Sequence, residues 1–78
     1  AWPFYEFAKT VAQLMGRRAG LTGLSSAELE TLKKVYNQSR NITRKMVKQA
    51  FEKAQKPTLA YIILELKQLM RKEEKHVS

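Results

Sequence analysis

Apolar residues recur along the chain at three- and four-residue intervals in four separate stretches, and no stretch alternates with the period of a strand. The first stretch runs from about Pro3 to Met15. Phe4, Phe7, Ala8, Val11, Leu14 and Met15 share one helical face there, Pro3 suits a first-turn position, and Gly16 ends the helix. The stretch from Gly16 to Gly23 has the glycines and the lack of periodicity of a loop. Ser25 and Glu28 form a capping box that opens a second helix, and Leu24 is placed to staple onto Leu29. Leu29, Leu32, Val35 and Tyr36 make its apolar face, and the polar run Asn37 to Asn41 ends it. Thr43 can cap a third helix in which Met46, Val47, Ala50, Phe51 and Ala54 occupy one arc of roughly 140°. Lys45, Lys48, Glu52 and Lys56 lie opposite that arc, and Pro57 stops the helix. Thr58 can cap the last and longest helix, with Leu59, Ile62, Ile63, Leu66, Leu69 and Met70 on one side and Tyr61 and Leu64 widening it. Such a breadth of apolar surface places this helix centrally, and the polar stretch from Arg71 is expected to fray towards its end.

The pattern predicts an all-α fold, a compact bundle of about four helices in a single domain. Residues 1–70 form the domain and residues 71–78 a charged tail. A chain of 78 residues without cysteine has room for one core and must hold it by packing alone. The absence of cysteine points to the cytoplasm. A start at Ala1-Trp2-Pro3 without an initiator Met reads as a fragment or a processed chain, and no signal peptide is indicated. The longest apolar run, Leu59 to Leu64, falls far short of the roughly 20 residues a bilayer span requires.

Charge changes the picture more than any motif does. Lys and Arg number 15 against 7 acids, for a formal charge of +8. A field of that sign attracts phosphate backbones or acidic proteins. Covalent chemistry is harder to place. There is one histidine, His76, in the polar tail, and no cysteine or aspartate, so neither a nucleophile beside a base nor a metal-ligand set is expected, and no cofactor. The Gly16 to Gly23 segment lacks the ending of a P-loop, although its Arg17-Arg18 pair can reach phosphates. A helix-turn-helix with Arg44, Lys45, Lys48 and Gln49 in a major groove is disfavoured. The connection from Asn37 to Ile42 is longer than the usual turn and contains no glycine. Tyr36, Tyr61 and Trp2 are candidate stacking platforms for unpaired bases, or core aromatics.

The order of elements is itself informative: Leu24-Ser25-Ser26-Ala27-Glu28 opens a helix, Thr43 to Ala54 forms the next, and Leu59-Ala60-Tyr61-Ile62-Ile63-Leu64-Glu65-Leu66-Lys67-Gln68-Leu69 follows. From Phe4 to Met70 this resembles the C-terminal domain of the DnaD family of Gram-positive primosome proteins, which also occurs in phage and plasmid replication proteins. The resemblance implies a helical bundle with a Tyr-x-x-x-Ile-x-x-x-Trp pattern near a DNA-binding region. Tyr61 matches that pattern, while Glu65 and Leu69 stand where Ile and Trp are expected. The implied DNA contact therefore passes to Tyr61 and the nearby Lys67. Plasmid initiators of the RepA type carry a similar domain, in which recruitment of primase or of the replicative helicase and its loader replaces DNA reading. The expected partners are nonspecifically bound DNA, single- or double-stranded, and replisome proteins, with no small-molecule substrate and no membrane; self-association stays open. The expected contacts are Lys33, Lys34, Arg44, Lys45, Lys48, Tyr61, Lys67, Arg71 and Lys72, with Arg17 and Arg18 in the loop. The reading from another class is a protein-interaction or oligomerisation module whose basic face meets an acidic partner.

Overall fold

Four α-helices make up the chain in the computed structural model, which describes residues 2–38 and 41–77, and of residues 21 and 73–77 the backbone alone. They are α1 (Phe4–Leu14), α2 (Ser26–Gln38), α3 (Arg44–Lys53) and α4 (Leu59–Val77), with a short 3-10 helix at Gly20–Gly23 between the first two. No strand occurs among the described residues. The all-α bundle read from the periodicity is what the structure shows.

Local hydrogen bonds set most helix boundaries. Pro3 takes the N-cap position of α1 and not its first turn, its carbonyl accepting from Phe7 N at 3.1 Å. At the other end Gly16 adopts φ +81, a conformation that disfavours any residue with a Cβ. The Gly16 amide bonds back to the Gln13 carbonyl at 3.0 Å and the Arg17 amide to the Ala12 carbonyl at 2.9 Å, the paired bonds of a Schellman motif. The capping box of α2 forms reciprocally: Ser25 Oγ accepts from Glu28 N at 3.1 Å, and Ser25 N donates to Glu28 Oε1 at 2.8 Å. Thr43 Oγ1 caps α3 by accepting from Met46 N at 3.2 Å.

Two boundaries depart from expectation. Helix α3 ends at Lys53, with Ala54 already extended at ψ 135. A helix continued to Pro57 would drive the proline ring into the Lys53 carbonyl four residues back, so the effect of the proline reaches a full turn upstream. Helix α4 runs on to Val77 where fraying was expected. Residues 71–77 contain no glycine or proline to stop it. The turn residues Ser39 and Arg40, and the side chain of His76, lie outside the described residues.

One core unites the helices: Phe7, Ala8, Val11 and Ala12 of α1, Leu32 and Val35 of α2, Met46, Val47 and Ala50 of α3, and Ile62, Ile63 and Leu66 of α4 are buried, with Leu24 and Ile42 closing it from the connections. The expectation that α4 lies centrally, contacted by the other three helices, is met only in part. Helix α1 packs against the 3-10 helix, α2 and α3, whereas α4 lies mainly on α3 with a smaller contact to α2. Ala8 and Ala12 are fully buried on the packed face of α1. The aromatic end of α1 completes the core. Phe7 meets Trp2, Phe4 and Tyr36 at centroid distances of 6.1, 6.3 and 5.8 Å, and Tyr36 Oη donates to the Trp2 carbonyl at 2.7 Å.

Candidate nucleic-acid interface

The two arginines that follow Gly16 are adjacent in sequence and opposite in role. The Schellman turn aims Arg17 across the loop, where Nη1 donates to the Gly23 carbonyl at 2.7 Å and Nη2 pairs with Glu28 Oε2 at 3.1 Å. A Cβ at Gly23 would sit 3.3 Å from the Arg17 Cβ, so glycine is what permits this approach. The same Glu28 carboxylate accepts from Ser25, so one side chain joins the end of α1, the loop and the start of α2. Arg17, expected at a phosphate, is thus engaged within the chain. Arg18 is exposed and points elsewhere, into a groove on the outer side of α1.

The Ser25 backbone N–H above all, and then the Arg17 charge, hold the Glu28 carboxyl below its usual range. A depressed folded-state pKa stabilises the fold above the unfolded value of about 4.3, and that contribution is lost as pH falls through the folded value. Glu28→Gln is therefore expected to lower stability by about 1 kcal/mol at neutral pH, and by less at pH 3, where the wild-type carboxyl is itself protonating. Urea midpoints of both proteins at the two pH values measure this. An equal gap at both would show that the carboxylate charge stabilises nothing.

Outside this pair the described residues hold no other ion pair, and the remaining described cations meet solvent. Arg44, Lys45 and Lys48 are exposed on α3 within a sector of about 100°, one helical turn deep, with Glu52 the acid beside them. Lys33 and Lys34 are exposed on α2 but diverge by about 100° as sequence neighbours. On α4, Lys67 and Arg71 are one turn apart beside Leu64, whose apolar side chain is 53% exposed. Tyr61 is half-buried on a different flank, about 120° around the helix from Lys67, and shares that flank with Glu65 and Lys72. The two α4 residues singled out by resemblance are therefore not brought together. Trp2 and Tyr36 are joined to each other in the aromatic cluster around Phe7.

No family model, curated protein or solved structure matches this chain.

The groove at Arg18 was not foreseen from sequence. Tyr5, Lys9 and Gln13 form its α1 wall at four-residue spacing, and Arg18 to Gly20 with Thr22 form the other. Tyr5 is 53% exposed, and Lys9 Nζ lies 5.9 Å from its ring centroid. The signal was a tyrosine on the polar side of an amphipathic helix, followed one turn later by a lysine. What the sequence could not show is that the Gly16–Gly23 connection folds back beside these residues.

Proposed function

We propose that this chain is a non-enzymatic, DnaD-like helical domain of a cytoplasmic replication-initiation or primosome protein, holding DNA nonspecifically while it helps assemble the replisome. The observation that supports this most is the sector of Arg44, Lys45 and Lys48 on α3. These are three exposed cations without a partner carboxylate among the described residues, on a chain whose formal charge is +8. Such an array neutralises phosphates without reading bases, because its point charges meet a backbone that is the same at every sequence. Arg18, Lys33, Lys34, Lys67, Arg71 and Lys72 add to the field, while Arg17 is withdrawn from it by Glu28. The exposed Leu64 beside Lys67 and Arg71 favours a second use of the domain, docking of an acidic replisome protein on α4.

Titration of single- and double-stranded DNA of unrelated sequences tests the proposal. Binding at low salt with little sequence preference is expected, with a log K that falls linearly with log salt at about 0.9 per duplex phosphate neutralised. A dissociation constant weaker than about 10⁻⁴ M at low salt would overturn it.

A further inference from the structure

The groove between α1 and the Gly16–Gly23 connection combines two features that the α3 face lacks: an aromatic surface open to solvent and charge of one sign beside it. Tyr5 presents half of its surface, with the Lys9 ammonium over one face of the ring, 5.9 Å from its centroid, so that a stacked base takes the other face or displaces the lysine toward a phosphate. Arg18 lines the facing wall, and no carboxylate takes part in the lining among the described residues. The facing wall is braced by local bonds, Thr22 Oγ1 donating to the Ala19 carbonyl at 2.9 Å and Gly20 N to the Arg17 carbonyl at 3.1 Å. Behind it, the Arg17 clasp anchors the connection to α2. The volume, about 250 Å³, lies below the 300–1,000 Å³ common for pockets that enclose a whole small molecule, and the groove is open along one side. It suits one unit of a polymer that enters and leaves at the rim.

We infer that this groove seats a single unpaired nucleotide of a nucleic-acid strand, the base stacked on Tyr5 and the flanking phosphodiesters held by Lys9 and Arg18. The inference rests on the nucleic-acid reading above and adds to it a preference for single strands. A paired base has both faces covered within the duplex and cannot reach the tyrosine ring, whereas every unpaired base has a free π-face, so the subsite is tolerant of sequence. Gln13, and the Thr22 oxygen as an acceptor, are the polar groups left to meet the sugar or the base edge. The α3 cations serve both strand states; the groove serves one.

Fluorescence anisotropy with a labelled oligothymidine and with a duplex of equal length, on the full chain, tests this. Tyr5→Ala is expected to weaken single-strand binding about 5- to 150-fold and to leave duplex binding within twofold, and Tyr5→Phe to keep the single-strand affinity, because stacking needs the ring and not the hydroxyl. Lys9→Gln with Arg18→Gln is expected to make the salt dependence of single-strand binding shallower by about 1.4, two phosphates at 0.7 each. If the wild-type chain binds both DNAs and Tyr5→Ala binds the oligothymidine as tightly as wild type, the groove assignment is wrong and the nucleic-acid reading stands. If the wild-type chain binds neither DNA, both are wrong. Tyr5 is half-exposed, and an unchanged melting curve for Tyr5→Ala shows that the comparison is made between folded proteins.

Discussion

Phe7→Ala is expected to remove about 3 to 5 kcal/mol from the stability of the fold, the largest single loss available in this chain. Phe7 is fully buried, and three aromatic rings rest against it, Trp2 edge-on at 72° and Phe4 and Tyr36 tilted at 55° and 33°. Truncation removes the transfer energy of the ring and leaves a cavity whose walls are anchored and collapse poorly. Tyr36 is tied by its hydroxyl to the Trp2 carbonyl, so neither ring is free to move into the space. The aromatic pairings themselves are worth about 0.5 to 1.5 kcal/mol each beyond buried area. A domain of this size has roughly 4 to 12 kcal/mol in total, so the variant sits near the limit of folding. A melting temperature lower by roughly 12 to 40 °C is the result to look for by circular dichroism. A shift of only a few degrees would mean that the cluster at the start of α1 is not part of the cooperative core.

Neutralising the α3 sector should have the largest effect on binding with almost none on stability. Arg44→Gln, Lys45→Gln and Lys48→Gln together remove three exposed charges that make no ion pair among the described residues, so each is expected to change folding by no more than about 0.5 kcal/mol. If each cation neutralises one duplex phosphate, the salt slope becomes shallower by about 2.7, and affinity at about 0.1 M salt falls roughly 500-fold. The slope is the more decisive reading, because it counts phosphates without depending on the absolute affinity. Lys33→Gln with Lys34→Gln provides the comparison. Those two lysines diverge around α2, and no more than one of them can face the same backbone as the other cations of a single flat contact. A slope unchanged in the triple variant would take α3 out of the interface and leave the acidic-partner reading of the basic surface in its place.

Much of the local structure was legible along the chain. The capping box of Ser25 and Glu28, the Thr43 cap and the stop at Gly16 depend on groups within five residues of one another, and the bonds they make are the ones their residue types predict. The apolar stripes of α1, α3 and α4 likewise marked the side of each helix that is buried, since helical periodicity needs no knowledge of the neighbour. The lysines of α3 were legible as exposed for the same reason.

Partnership between elements was a different matter, because it depends on where distant segments arrive. The width of the apolar surface on α4 argued for contact with all three other helices, yet α4 lies mainly on α3 with a smaller contact to α2, while α1 packs on α2, α3 and the 3-10 helix. Arg17 and Arg18 read as one basic pair; a carboxylate eleven positions away engages the first and leaves the second free. Tyr61 and Lys67 read as neighbours in a motif, and the helix turns them apart. Tyr5 and Lys9 carried no reading along the chain, and become one wall of a groove only because the Gly16–Gly23 connection folds back beside them. By itself, then, the sequence determined four amphipathic helices, their caps and a net charge of +8, all properties of short segments or of sums. Which charges stay free for a partner was decided only by tertiary structure, because pairing a charge takes a second group that the chain delivers from elsewhere in the fold.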